Sequence, residues 1–133
     1  MALPLIGAAP PVTLDIAVEG LRAERGDILL CLFHDKSDFP DCSHNTHARK
    51  LSAPARNGMT IRIEGLATGR YAVSLIHDEN GNNKLDTSLG IPREGVGFSR
   101  NPKFMFGPPR YDAAAFDADA PEIRQSVKVR YFL

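Results

Sequence analysis

The sequence predicts an all-β fold, a single antiparallel β-sandwich of about seven strands. Three observations predict it. Apolar and polar residues alternate at period two in several short runs, the mark of a strand with one face buried. No amphipathic pattern long enough for three helical turns is present. Ten prolines and eleven glycines divide the chain at intervals that suit short strands joined by turns. The 133 residues fit one domain, read as a flexible leader over 1–11 and a sandwich over 12–133.

The first strand is carried by Val12, Leu14, Ile16 and Val18 on one face, with Thr13, Asp15, Ala17 and Glu19 on the other. Gly20 closes it and 21–25 make a turn. Residues 28–33 are apolar without a break, as a central strand covered on both faces requires. Residues 35–54 are polar, with room for one short strand or helical turn. Met59, Ile61 and Ile63 mark a third strand, and Tyr71, Val73 and Leu75 a fourth. Between these two, Gly69 is expected to take a positive φ. Tyr71 either sends its hydroxyl to a nearby backbone group, as at a tyrosine corner, or is an ordinary core ring. Residues 90–109 are rich in Gly and Pro, with Val96, Phe98, Phe104 and Phe106 as apolar anchors, and 111–116 suit one helical turn. The last strand sets Ile123, Val127, Val129, Tyr131 and Leu133 against Arg124, Ser126, Lys128 and Arg130.

Composition narrows the function classes. Sixteen basic and sixteen acidic residues cancel, so nothing draws the chain generally to nucleic acid or to an anionic membrane. No run approaches the ~20 apolar residues of a transmembrane helix. Residues 1–11 are apolar but lack a basic start, so they are not an intact signal peptide; a cleavage remnant and a disordered leader both fit. Cys31 and Cys42 either remain reduced or form a bridge, which is the expectation, contributing roughly 2–3 kcal/mol by loop entropy.

The chemistry-bearing segment is 77–86. With Asp78 as position one, Asn80, Asn82, Lys84 and Asp86 fall at three, five, seven and nine. An EF-hand-type loop takes side-chain oxygens at one, three, five and nine and a backbone carbonyl at seven. The spacing suits calcium because alternate residues of a tightly wound loop turn their oxygens inward together, and this hard ion wants ~6–8 of them. Lys84 would give its carbonyl alone. Asn83 stands where the pattern has Gly, and Asn tolerates the left-handed region better than other side-chain-bearing residues. Leu89 stands where the pattern has a bidentate Glu, so Glu94 is the carboxylate that would complete the shell. The few charges imply a weak site, ~10⁻⁴–10⁻³ M. The competing reading is a hairpin turn whose Asp and Asn side chains cap their own backbone without metal.

A second constellation, Cys42, His44 and His47 with His34 upstream, has zinc- or copper-binding residue types at a spacing that matches no standard site. Residues 94–101 carry glycines but no phosphate-cradling pattern. No nucleophile elbow occurs, and His77 with Asp78 or Glu94 is the lowest-ranked reading, an acid–base enzyme.

At these residues the chain resembles the bacterial domain of unknown function 2141 family. The likeness runs from Gly65, Gly69 and Tyr71 through the His-Asp-Glu-Asn-Gly-Asn block beginning at His77. It continues through Gly90 to Ser99, then through Pro109 and the alanines before Phe116. The resemblance implies a sandwich and export to the periplasm or outside the cell, and supplies no activity. The Gly-x-Tyr entrance to the fourth strand is also similar to that of transthyretin-like modules, which makes the expected sandwich Ig-like or transthyretin-like (prealbumin-like). The resulting expectation is a non-catalytic exported module. Its calcium loop, with donors Asp78, Asn80, Asn82, Lys84, Asp86 and Glu94, orders a surface over 94–101 and 104–109 for a peptide, glycan or protein ligand. The alternative is a zinc or copper binder using the His/Cys loop.

Overall fold

The computed structural model describes residues 10–34, 36, 39–42, 47–88, 91–103 and 107–133. Alternation becomes structure where it was strongest. β1 (Val12–Glu19) buries Val12, Leu14, Ile16 and Val18, and Ala17 as well. β2 (Asp27–Phe33) is the continuous apolar run. β3 (Arg49–Pro54) is the short strand in the polar segment, β4 (Thr60–Leu66) the third alternating run, and β5 (Gly69–Asp78) the fourth. β6 (Thr87–Ser88) and β7 (Ile91–Pro92) form a small hairpin, and β8 (Gly95–Phe98) follows. One helical turn, α1 (Tyr111–Ala114), leads to β9 (Phe116–Ala118) and β10 (Glu122–Lys128).

Two sheets face each other. One has the order β10-β1-β4; the other has the order β3-β2-β5-β8, with β9 joined to β5. Leu14, Ile16, Ile61, Ile63 and Val127 from the first meet Ile28, Leu30, Leu32, Val73 and Leu75 from the second in a single core cluster. At ~1.5–3 kcal/mol for each fully buried aliphatic chain, that cluster is the main stabilising term.

Ten strands are assigned among the described residues, more than the seven expected, because the Gly/Pro-rich segment contributes β7 and β8 and its flanks contribute β6 and β9. The sandwich is not wholly antiparallel. β10 lies parallel to β1, Val18 opposite Val127 and Glu19 opposite Lys128. Parallel neighbours need a long connection, and here the connection is the rest of the domain. Asn101 fastens this strand to the other sheet's side: its Nδ2 donates to the Ser126 carbonyl at 2.9 Å and its Oδ1 accepts the Lys128 N–H at 2.8 Å.

Tyr71 behaves as a corner residue, its hydroxyl donating to the Ala67 carbonyl at 2.7 Å. The positive φ expected at Gly69 falls instead at Gly65 (73°). What Gly69 provides is space: a Cβ there would lie 2.8 Å from His34 Nε2, on the ring that stacks on Tyr71 at 4.5 Å. Cys31 and Cys42 are joined, with Cα atoms 6.2 Å apart, within the span a disulfide bridges. The bridge and Phe39, edge-on to Phe33 at 5.1 Å, cover the outer face of β2, which explains its unbroken apolar run. Among the described residues no helix is long and apolar enough to cross a membrane. Of the leader expected over 1–11, residues 1–9 lie outside the described set.

Candidate functional site

β5 ends at Asp78, and the eight residues that follow wind back toward the small hairpin. Asp78 is fully buried. Its carboxylate accepts the backbone N–H groups of Asn82 at 3.2 Å and Asn83 at 2.8 Å, drawing the loop into a tight bend. Asn83 takes the left-handed conformation (φ 63°) expected of it, and Gly81 does so as well (69°). Asn80 and Asn82 both direct Nδ2 at the Asp86 carboxylate, at 2.8 and 2.9 Å. Asn82 Oδ1 accepts the Lys84 N–H at 3.2 Å. Glu94 braces the bend from the neighbouring segment, accepting the Glu79 N–H at 2.7 Å and the Asp86 N–H at 3.3 Å. The six predicted residues therefore share one loop and its brace. Asp78, Asn80, Asn82 and Asp86 turn inward, while Lys84 is exposed and joins through its backbone.

These hydrogen bonds close the loop on its own amides, as a self-capped turn does. Among the described residues no group of three or more His, Cys, Asp or Glu is placed to hold a metal ion. The inward set is half asparagine, and an amide presents oxygen or N–H to the same point by a half-turn of its side chain. Turned that way, Asn80 and Asn82 would face Asp86 with oxygen, an arrangement that is repulsive unless a cation sits between them.

The charges in the bend are pushed in opposite directions. Amide hydrogen bonds from Asn82, then Asn80, hold Asp86 below the ordinary carboxylate value. Burial, with the charge of Asp78 adding to it, pushes Glu94 up. Behind the bend, burial opposes ionisation of Glu79, but the hydrogen bonds from Arg22 and Arg25 outweigh it and leave the group lowered; Arg22 Nε meets Glu79 Oε1 at 2.9 Å.

A lowered carboxylate binds fewer protons in the folded chain, so its stabilisation is complete above the unfolded pKa and disappears as pH falls through the folded one. Asp86 and Glu79, with ordinary values of 3.8 and 4.5, contribute in that sense. Glu94 has the opposite sign: its contribution is complete at low pH and fades as pH rises through its raised value. Thermal unfolding across the acid range is therefore expected to show stability falling below about pH 4.5, and falling less steeply in Glu79→Gln. Equal acid sensitivity in the two proteins would refute the assignment.

The sequence reading missed the supports of this loop. His77 is wholly buried, with Nε2 2.8 Å from the Arg25 carbonyl and Nδ1 2.7 Å from the Tyr131 hydroxyl. A carbonyl only accepts, so Nε2 carries a proton, and in the neutral ring Tyr131 donates to Nδ1. That hydroxyl in turn accepts the Arg22 N–H at 3.2 Å, and the Arg22 guanidinium lies over its ring at 4.4 Å. His77 thus ties the 20–26 turn to the C-terminal segment. Both of its nitrogens are engaged, away from solvent. The alternation of the last strand pointed Tyr131 inward; nothing in the sequence marked Arg22.

The other expectations are redistributed. Cys42 is held in the disulfide, so it offers no thiolate to zinc or copper; His34 is stacked on Tyr71, and His44 lies outside the described residues. The segment expected as surface over 94–101 is mostly interior: Glu94, all of β8 and Ser99 are buried. Phe104 and Phe106 lie outside the described residues.

A family model described as an uncharacterized protein conserved in bacteria (DUF2141) matches residues 16–126, from within β1 to within β10. No curated protein and no solved structure matches the chain. The chain belongs to that bacterial family.

Proposed function

We propose that this member of the family is a non-catalytic, exported binding module whose 78–86 loop takes up calcium. Asp78, Asn80, Asn82 and Asp86 would be side-chain donors, the Lys84 carbonyl a further one, and Glu94 the closing carboxylate. One observation carries the reading. Four side chains at alternate positions, two of them carboxylates, turn toward one another within a single bend, with a third carboxylate buried against it. With Asn80 and Asn82 turned to present their amide oxygens, a hard divalent cation is the ligand for which such a convergence is useful. Export is supported by the Cys31–Cys42 bridge, since disulfides persist in oxidising compartments. Binding would fix the bend between β5 and the small hairpin, and so the surface beside it.

The test is thermal unfolding in EDTA and in millimolar calcium. A site of ~10⁻⁴ M affinity at a hundredfold excess of ion adds about 2.7 kcal/mol by mass action, a rise of several degrees in Tm. Asp86→Asn, which keeps the size of the side chain and removes its charge, is expected to lose most of that rise. Identical melting in calcium and EDTA would leave a self-capped turn in place of a metal site.

A further inference from the structure

We propose that the outer face of the five-stranded sheet binds a small anionic amphiphile, an apolar chain or ring system bearing a carboxylate or similar head group. A hollow of about 1160 Å³ opens there, above the ~300–1,000 Å³ range usual for drug-sized ligands. Its floor is Leu29 of β2, Ile76 of β5 and Val96 of β8; its walls include Leu85, Ile91 and Phe132. Large hydrophobic side chains are exposed at only three described positions, and two of them, Ile91 (45%) and Phe132 (43%), line this hollow. Exposed apolar groups gathered around one concavity, rather than scattered, mark a binding surface.

The chemistry of the lining selects the ligand. The floor strands β2 and β5 are paired on each side, and Val96 of β8 exchanges both its backbone hydrogen bonds with Arg130. The floor itself therefore gives a peptide backbone nowhere to add; the sheet's edge strand β3 only bounds the hollow. Ser74 already donates to the Pro40 carbonyl at 3.3 Å. The rest of the lining is apolar contact area, the neutral polar residues Ser52, Asn83 and Thr87, and three charged residues, of which two, Lys50 and Lys84, are cationic and one, Asp41, is anionic. That combination suits an apolar body with a single negative head. The hollow is preformed: the Cys31–Cys42 bridge fixes one side, and beneath it Phe39, Phe98 and Tyr111 pack edge to face. The opposite wall includes Asn83, Lys84, Leu85 and Thr87, the far half of the Asp/Asn loop, yet the floor and Lys50 lie outside that loop, and Lys84 would meet the ion through its carbonyl alone, leaving its ammonium to the hollow.

The test is calorimetric titration of the full chain with dodecanoate and with dodecanol, in EDTA and again in calcium. Saturable uptake of dodecanoate at one site per chain is expected in EDTA, whether or not calcium changes melting, so failure of the metal reading and failure of this one are read separately. Ile76→Asp, which places a carboxylate on the floor, should weaken dodecanoate by about tenfold or more. Lys50→Glu combined with Lys84→Glu alters exposed residues alone and should weaken dodecanoate about fivefold while leaving dodecanol nearly unchanged; it decides the matter if Ile76→Asp fails to fold. A folded native chain that takes up neither compound overturns the proposal and assigns the hollow to a protein partner or to the chain's own segments. Binding indifferent to both sets of substitutions, or equal lysine dependence for acid and alcohol, overturns the placement.

Discussion

Gly26→Ala is expected to destabilise the protein by about 3–5 kcal/mol, the largest effect of any single methyl group added near the candidate site. Gly26 closes the turn before β2 with φ at 69°, and its carbonyl accepts the Ala55 N–H at 3.0 Å. A Cβ there would run into the Asp78 carbonyl and approach Glu79 Cα to 2.7 Å and its carbonyl carbon to 2.8 Å. Those are backbone atoms at the point where the Asp/Asn loop leaves β5, and Asp78 is also paired with Asp27 across β2. No side-chain rotation relieves the overlap. Either β5 and β2 separate at that end, or the loop shifts off its brace at Glu94. Against a total stability of ~5–15 kcal/mol for a domain of this size, the loss would lower Tm by on the order of 10 °C or more.

Gly65 supplies the control. It also has positive φ, 73°, yet nothing lies within 4 Å of where its Cβ would be. Gly65→Ala therefore isolates the conformational cost, ~1–2 kcal/mol. Urea unfolding of the two variants should give midpoints that differ clearly at unchanged slope. Equal losses would mean that close approach at Gly26 contributes nothing and that the positive φ explains both.

The difference between these glycines shows where sequence reading stops. The strands were legible because their signal is local: each of β1, β2, β4 and β5 carries its own alternation or apolar run, and burial followed it. The bend at 78–86 was legible for the same reason, since Asx side chains bond to amides two to five residues away, and Asn83 took the left-handed conformation its chemistry permits. What could not be read depends on partners distant in sequence. The parallel pairing of β1 with β10 is set by how the sheets close, not by the pattern in either strand. Gly26 is constrained by a carbonyl 52 residues on, and the Arg22–Tyr131–His77 chain spans |i−j| = 109 and 54. The unbroken apolar run of β2 did forecast a covered outer face, but not that Leu29 would remain half-open to a hollow while Cys31 and Phe33 were sealed.

Asp78 is where local chemistry and tertiary burial meet, and its removal is the second large effect. Asp78→Ala leaves the Asn82 and Asn83 N–H groups without their carboxylate. Each such bond to a charged acceptor is worth ~1.5–3 kcal/mol, but both residues are exposed, so water recovers part of the loss and about 2 kcal/mol is expected in total. Asp78→Asn retains one acceptor oxygen and should lose less. The two substitutions are alike in a second measurement that simple destabilisation does not imitate. Asp78's charge adds to the burial that raises Glu94, so both variants should let the Glu94 carboxyl titrate closer to 4.5 by carbon NMR. Because a raised carboxylate loses its contribution as pH rises through its folded value, the stability that Glu94 withholds at neutral pH should shrink in both. A Glu94 titration unmoved by either change would mean the two carboxylates do not share a field. A calcium-dependent rise in Tm that persists in Asp78→Asn would remove Asp78's charge from the proposed ion's requirements. Loss of the calcium response together with a lowered Glu94 pKa is the result that joins both groups to one cation.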